Sequence, residues 1–275
     1  MRRVMVILID GLRPDVAPTG MMPSLAALSR DYARATNART VRPSATVAAL
    51  ASFATGVGPA AHGLVEPGLR FLRRLGRLTP LASALRARDI PTIAVANDLG
   101  RPTRPIAATL AAFAGVQRLV SGGFDAASVA ASARSVWEEV EDGFVFVYFN
   151  ACDRAGHRYG WMSRPYLDAA AQVDAALATL TGVARNGLLL VTADHGGGGV
   201  RRDDHDEPHP MNDWVPLTVA GPRVRRRAVL AAPISLLDLP PTILWYFGAP
   251  IPPSYEGRIL REAFVPAAAP ATAEP

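Results

Sequence analysis

The sequence lacks several features that would place it in familiar classes. It has no lysine, so arginine supplies all 29 basic residues, and its single cysteine, Cys152, excludes an internal disulfide. No apolar run approaches the roughly 18 residues of a membrane-spanning helix. The first apolar run, "VMVILI", is too short for a secretory signal and is followed at once by Asp10. These absences predict a soluble, cytoplasmic protein without a membrane partner.

The arginines outnumber the acidic residues, so the chain has a formal net charge of +5 and a pI near 10.0. Two arginine-rich runs, Arg70–Arg77 and Arg223–Arg227, could be read as a nucleic-acid footprint. Few aromatic residues lie among these arginines, and the runs match no nucleic-acid-binding motif. Solvent-exposed faces of an arginine-rich protein explain them better. Nucleic acid is therefore not the expected partner, whereas an acidic small-molecule substrate suits a basic surface.

Short apolar runs alternate with helical patterns along the chain. The runs are Val4–Ile9, Pro91–Ala96, Phe144–Phe149, Leu188–Thr192 and Val215–Val219. The helices are predicted from Thr79, as N-cap, to about Arg88, over Asp125–Glu141, from Ser163 to about Val183, and after Asp238, as cap, to Gly248. The apolar runs are continuous rather than alternating, which is typical of parallel strands covered on both faces. We predict an α/β fold with a mostly parallel central sheet and helices on both faces.

The domain prediction follows from the same pattern. A single folded domain is expected over residues 1–263, and the alanine- and proline-rich residues 264–275 are expected to form a disordered tail.

Acidic and histidine side chains follow three of the apolar runs. They are Asp10 after the first run, Asp153 and His157 after the third, and Asp194 and His195 after the fourth, with His205 and His209 further on. Open α/β sheets bind ligands beyond the carboxyl ends of their strands. Carboxylates and neutral imidazoles suit zinc, manganese or iron. Each cluster alone could be a turn, a helix cap or a glycine-rich loop, but their convergence on one rim favours a metal site.

A hydroxyl nucleophile is available in the segment "RPSATVAALASFATGVGPAAHG". Ser44 and Thr46 lie just before a helical pattern, where either hydroxyl could simply be an N-cap. A helix N-terminus also suits phosphate, because its free N–H groups and its dipole point at the ligand. The residues alone leave both interpretations open.

Six segments, in order, resemble the alkaline phosphatase superfamily in its type I phosphodiesterase/nucleotide pyrophosphatase branch. They are "ILIDGLRPD", "PSATVAALASFATGVGPAAHG", "DRAGHRYG", "TADHGGGG", "VPLTVAGP" and "SLLDLPPTILWYFGAPIPP…EGRIL", and they cover most of residues 4–260. The resemblance implies an alkaline phosphatase-like catalytic domain. Because the chain is short, any cap is minimal and is expected within residues 64–143.

The resemblance also implies two divalent metal ions, zinc or alternatively manganese. The implied ligands are Asp10, Thr46, Asp194 and His195 for one ion, and Asp153, His157 and a late histidine for the other. His205 lies eleven residues before Pro216, which fits the family spacing better than His209 does. Thr46 lies ten residues before Gly56 of "ATG" and is implied as the nucleophile in preference to Ser44.

One position departs from the family pattern. Related diesterases carry an Asn three residues after the nucleophile, which donates to a phosphate oxygen, and here that position is Ala49. The candidates to replace this donor are Asn150, Arg154 and Arg158.

The expected function is two-metal hydrolysis of a small-molecule phosphoester, of the phosphodiesterase/nucleotide pyrophosphatase type. Metal coordination would activate Thr46, which would form a covalent phospho-threonine intermediate. A phosphomonoesterase or a phosphonate hydrolase on the same scaffold is the alternative. A sulfatase is disfavoured because "SATVA" lacks the Pro and Arg of the sulfatase motif. A catalytically inactive nucleic-acid-binding or scaffold protein is the alternative of another class, and the complete ligand set argues against it.

Overall fold

A computed structural model describes residues 2–65, 78–98, 108–109, 111–112 and 114–266. The strands are β1 (Arg3–Ile9), β2 (Ala33–Ala35), β3 (Ala38–Arg39), β4 (Thr92–Ala96), β5 (Arg118–Ser121), β6 (Gly143–Phe149), β7 (Leu188–Thr192), β8 (Trp214–Val215), β9 (Leu217–Ala220), β10 (Val229–Leu230) and β11 (Ile234–Ser235). The α-helices are α1 (Pro23–Asp31), α2 (Thr46–Thr55), α3 (Pro59–His62), α4 (Leu81–Arg86), α5 (Ala126–Glu139), α6 (Ala151–Tyr159), α7 (Arg164–Ala178), α8 (Pro210–Asp213) and α9 (Leu239–Phe247).

An eight-stranded sheet with the order β10-β2-β9-β7-β1-β6-β4-β5 forms the centre of the fold. β1 pairs in parallel with β6 and with β7, and β4 pairs in parallel with β6 and β5. Only β9, antiparallel to β7 and β2, departs from this direction among the paired strands of the large sheet. Val4–Ile9 of β1 and all of β7 are buried, so both sheet faces are covered there, which confirms the predicted mostly parallel α/β architecture.

The apolar run Val215–Val219 is two strands rather than the single predicted strand. Pro216 separates β8, which pairs with β3 in a small second sheet, from β9, which pairs with β7. Proline has no N–H to donate to a ladder, so the chain changes sheets at this residue.

Two of the predicted helix starts differ from the structure in their caps. Pro80, with an extended backbone, occupies the N-cap position of α4, so Thr79 is not the cap. Asp238 precedes α9, but its carboxylate does not cap that helix; it accepts from the N–H groups of Ser235 and Arg258. In contrast, the hydroxyl of Ser163 accepts from the N–H of Tyr166 and caps α7 as predicted.

The helix predicted from Ser163 to Val183 ends earlier than expected. α7 stops at Ala178, and a 3₁₀ turn over Thr181–Arg185 leads into β7. The helix predicted over Asp125–Glu141 is α5, with the carboxylate of Asp125 accepting from the N–H of Ser128.

The ordered domain reaches beyond the predicted boundary at residue 263. Phe264 is 3% exposed and bridges to Val224, so it belongs to the folded domain, while the rest of the predicted tail from residue 267 lies outside the described residues.

The described part of residues 64–143, where any cap was expected, supplies α4, β4, β5 and α5. The predicted basic run at residues 70–77 lies outside the described part of the chain. Among the described helices, none has the length and apolar character needed to cross a bilayer.

Candidate active site

The ends of three parallel strands meet at one rim of the sheet. Asp10 directly follows β1, and its N–H donates to the carbonyl of Phe149 at the end of β6 over 2.8 Å. Asp153 lies in the first turn of α6, which begins one residue after Asn150, and its N–H donates to the carbonyl of Asp10 over 3.0 Å. Asp194 lies two residues beyond β7. The convergence expected from the three apolar runs is therefore present.

Four of the predicted residues form the inner cluster, which comprises Asp10, Thr46, Asp194 and His195. The Nε2 atom of His195 lies 3.3 Å from Oδ1 of Asp10, 3.6 Å from Oδ2 of Asp194 and 3.1 Å from Oγ1 of Thr46. The three acidic and imidazole side chains are buried, and their potential ligand atoms lie within 4.8 Å of one another. These side chains surround a space that a cation could occupy.

The remaining three form the outer cluster, which comprises Asp153, His157 and His205. Oδ1 of Asp153 lies 3.4 Å from Nε2 of His157 and 3.8 Å from Nε2 of His205. The Nε2 atoms of the two histidines are 3.2 Å apart. The rings of His195 and His205 stack with their centroids 3.8 Å apart, so the inner and outer clusters adjoin.

The histidines present the ring nitrogen that a metal ligand needs. Nδ1 of each ring faces a carbonyl, which only accepts: His195 faces Gly196 (2.8 Å), His205 faces Ser44 (2.7 Å), and His157 faces Asp203 (2.9 Å). In the neutral rings, Nδ1 carries the proton and Nε2 carries the lone pair, an arrangement typical of metal-ligating histidines. The Nε2 lone pairs of His157 and His205 then face each other, which is favourable only with a positive charge close by.

Two carboxylate oxygens in the clusters lack a hydrogen-bond partner. Oδ1 of Asp153 and Oδ2 of Asp194 are buried and have no hydrogen-bond partner in the described structure. Leaving a buried carboxylate oxygen without a partner is unfavourable. Divalent cations would satisfy both oxygens, so the residues present fit a two-metal site.

Burial and neighbouring charges shift several pKa values in the two clusters. Burial raises the pKa of Asp194 well above its usual range, and the charge of Asp10 raises it further. Burial and then Asp10 raise the pKa of Asp153 to about 6. Burial alone would lower the pKa of His195, but Asp194 and Asp10 raise it to about 10. Burial alone would raise the pKa of Asp10, but the hydrogen bond and charge of His195 lower it.

His205 differs from His195 in its protonation. Burial and then the positive charge of His195 lower the pKa of His205 to about 4, so its imidazole is neutral near pH 7. Neutral imidazole is the form that binds metals, so His205 is ready to bind near pH 7, whereas His195 must release a proton when a cation binds.

Thr46 and Ser44 have different surroundings. The N-cap position of α2 is Ala45, without a side-chain cap, so neither hydroxyl caps the helix. Oγ1 of Thr46, the first residue of α2, lies among the inner cluster, 3.5 Å from Oδ1 of Asp10. The hydroxyl of Ser44 instead donates to the carbonyl of His205 over 2.9 Å. Ser44 therefore helps to position a residue of the outer cluster and is not part of the inner one.

The other candidates from the sequence are not members of either cluster. His209 occupies the N-cap of α8, where its Nδ1 accepts from the N–H of Met211. Arg154 and Arg158 are exposed, whereas Asn150 lies at the rim with its buried amide oxygen unpaired. Cys152 is buried, and burial raises the pKa of its thiol, as fits a core residue.

The glycines after His195 are required by close packing. A Cβ atom on Gly196 would lie 2.0 Å from the carbonyl oxygen of Met211, and one on Gly197 would lie 2.1 Å from the ring of Trp161. The chain leaves the inner cluster through a space too narrow for any side chain.

Three aromatic residues that the sequence analysis did not single out support the inner cluster. The hydroxyl of Tyr148 donates to the carboxylate of Asp10. Trp161 and Tyr166 both donate to the carbonyl of Gly11, whose own N–H donates to Asp194 over 3.2 Å. Tyr148 was detectable as the one hydroxyl in the apolar run "FVFVYF", whereas no local pattern marks the other two.

Known proteins match the chain in sequence profile and in fold. The profile of the family described as type I phosphodiesterase/nucleotide pyrophosphatase matches residues 4–73 and 101–236, which is more than half of the chain. Phosphonate monoester hydrolase from Silicibacter pomeroyi is similar in structure, with a TM-score of 0.73 and 18% identity, over 98% of this chain and 78% of that one. No curated protein sequence matches the chain.

Two further solved structures share the fold. Murine ectonucleotide pyrophosphatase/phosphodiesterase 5, as an inactive threonine-to-alanine variant in complex with AMP, has a TM-score of 0.74 and 13% identity, over 96% of this chain and 100% of that one. A protein of the alkaline phosphatase superfamily from Vibrio parahaemolyticus has a TM-score of 0.72 and 17% identity, over 97% and 70%.

Proposed function

Because this chain belongs to the type I phosphodiesterase/nucleotide pyrophosphatase family and is a phosphoester hydrolase of the alkaline phosphatase superfamily, we propose that it cleaves small-molecule phosphodiesters with Thr46 as nucleophile. The observation that carries this proposal is the position of Thr46. Its Oγ1 lies 3.1 Å from Nε2 of His195, among buried carboxylates. The inactive threonine-to-alanine variant of the murine relative supports a threonine in this role.

The proposal includes two divalent cations. One would be held by Asp10, Thr46, Asp194 and His195, and the other by Asp153, His157 and His205. When bound, such cations supply positive charge that favours the alkoxide of the threonine and offsets charge on the phosphoryl oxygens. Mixed imidazole and carboxylate ligands suit zinc, with manganese as the alternative. The buried oxygens of Asp153 and Asp194 that lack a hydrogen-bond partner support this assignment. A cytoplasmic location is part of the same proposal.

In the proposed reaction, Oγ1 of Thr46 attacks phosphorus while the bond to the leaving alcohol breaks in line. The products of this step are the free alcohol and a phospho-threonine that retains the second ester group. Water then cleaves the phospho-threonine, which releases a monoester and restores the hydroxyl. The N-terminus of α2 contributes free N–H groups beside Thr46, and these favour the negative phosphoryl oxygens.

The test compares Thr46→Ala with Thr46→Ser after reconstitution with zinc or manganese. We expect the alanine variant to lose about 10³-fold or more in kcat while it keeps close to the wild-type metal content. The serine variant retains a hydroxyl and is expected to keep measurable turnover. Wild-type-like activity in Thr46→Ala would remove Thr46 from the mechanism.

Phosphonate monoester hydrolysis is a second candidate, supported by the similar structure from Silicibacter pomeroyi. A phosphomonoesterase would use the same clusters. A rate comparison among a phosphodiester, a phosphomonoester, a phosphonate monoester and a sulfate ester with one shared leaving group separates these activities. We expect the phosphodiester to have the highest kcat/KM. Absence of bound metal after reconstitution would favour the inactive scaffold protein instead.

A further inference from the structure

An apolar cavity of about 380 Å³ adjoins the inner cluster, and Thr46 and Tyr148 are part of its lining. This volume lies within the usual range for small-molecule sites. One wall is a face of α2, on which Val47, Leu50 and Ala54 follow each other at the spacing i, i+3, i+7. The cavity is therefore contiguous with the proposed nucleophile.

The opposite wall is one face of β4 and β6. Side chains alternate between sheet faces, so Ala94 and Ala96 of β4 share this face with Phe146 and Tyr148 of β6. In the strand register, Ala94 pairs with Phe146, and Ala96 pairs with Tyr148. The cavity lies where β4 presents methyl groups beside the aromatic rings of β6.

The described part of the lining offers little to a polar ligand. Among its described residues there is no charged side chain. The hydroxyl of Tyr148 already donates to Asp10, and that of Thr55 donates to the carbonyl of Ala51 over 2.7 Å. Thr92 contributes one buried hydroxyl without a partner. A sugar, a base or a second phosphate would lose hydrogen bonds to water here, whereas an alkyl or aryl group would gain from burial.

We propose that this cavity binds an apolar ester group of the substrate, so that the preferred substrates are alkyl or aryl phosphodiesters rather than nucleotides. The inference rests on the proposed function, because it assumes attack by Thr46 on phosphorus. In-line attack places the leaving group opposite Oγ1. The group in a cavity beside Thr46 is therefore the ester group that stays on phosphorus.

The test uses three p-nitrophenyl esters with the same leaving group. Their retained groups are methyl, hexyl and thymidine 5′-yl, and each ester is assayed with the metal-reconstituted full chain. We expect kcat/KM for the hexyl ester to exceed that for the methyl ester by up to about 10³-fold, because five more methylene groups become buried. The hexyl ester is also expected to exceed the thymidine ester.

Two matched variants locate the effect. Ala54→Phe fills the cavity from α2, and Ala131→Phe places the same side chain on the exposed face of α5. The ratio of hexyl to methyl kcat/KM is expected to fall at least tenfold in the first variant and to stay unchanged in the second. The ratio is measured within each variant, so a general loss of active protein does not alter it.

The outcomes separate the two proposals. If the reconstituted protein cleaves none of the three esters, the proposed function fails. If it cleaves the methyl and hexyl esters equally, or prefers the thymidine ester, the proposed function stands and the apolar substrate class is wrong. An equal fall of the ratio in Ala54→Phe and Ala131→Phe would also overturn the assignment to this cavity.

Discussion

The inner and outer clusters differ in how the fold holds them. The side chains of Asp194 and His195 in the inner cluster are 0% exposed, and Asp10 directly follows the central strand β1. In the outer cluster the side chain of His157 is 46% exposed, on helix α6, and His205 lies in the loop after the glycines. The carboxylate and imidazole ligands of the inner cluster thus lie at the ends of the central strands β1 and β7, and the outer ligands lie on a helix and in a loop.

This difference indicates a difference in affinity for cations. Burial makes unbalanced charge more unfavourable, and the inner cluster combines two buried carboxylates with one buried imidazole. The outer cluster has one carboxylate, two imidazoles and partial access to solvent. We expect the inner cluster to bind its cation more tightly and to release it more slowly.

The largest expected effect comes from Asp194→Asn. This change keeps the shape of the side chain but removes the charge that the inner cluster uses to hold a cation. We expect the loss of about one metal per chain and a fall in turnover of about 10³-fold or more, as when one member of an interdependent catalytic set is removed. Elemental analysis and kcat measure the two effects. Retention of both metals would mean that the inner cluster does not depend on this carboxylate.

A smaller effect is expected from His157→Asn in the outer cluster. One ligand of a zinc site contributes a few kcal/mol, so the affinity for the outer cation is expected to fall on the order of 100-fold. A metal titration of activity should therefore shift to higher concentration, and saturating metal should restore a large part of kcat. Asp168→Asn, on the exposed side of α7 and paired with Arg164, is the matched control without an expected shift. If added metal restores Asp194→Asn as readily as His157→Asn, the two clusters do not differ as inferred.

The sequence predicted the inner cluster more directly than the outer cluster. Asp10 and Asp194 come within two residues of the ends of apolar runs, so strand prediction alone brings them to one rim. His205 follows no strand, and its preference over His209 came from family spacing. Its position depends on contacts with Ser44, more than 150 residues away in the chain, which no local pattern reveals.

The sequence alone also could not explain the four glycines at positions 196–199. The reason lies in Trp161 and Met211, which approach Gly197 and Gly196 only in the folded chain. The cavity depends on the pairing of β4 with β6, which lie about 50 residues apart in the chain. It also depends on the sizes of the side chains that each strand places on the shared face. The strands β1, β4, β6 and β7 could be predicted from composition, whereas the short strands β2, β3, β10 and β11, the strand β5 and the neighbours of each strand could not. The division of the run at Pro216 has the same origin, because β8 and β9 pair with different sheets.

The smallest expected effects come from residues that hydrogen-bond to the ligands without being ligands themselves. Their sizes are again expected to differ between the two clusters. Tyr148→Phe removes the hydroxyl that donates to the carboxylate of Asp10, and hydrogen bonds to charged groups are worth about 1.5–3 kcal/mol. Ser44→Ala removes a neutral hydroxyl from the carbonyl of His205 but leaves the backbone acceptor for Nδ1 in place. We expect about a tenfold loss of kcat/KM in the first variant and about a twofold loss in the second. Equal losses, measured at saturating metal, would show that the hydroxyl of Tyr148 supports the inner cluster no more than the hydroxyl of Ser44 supports the outer one.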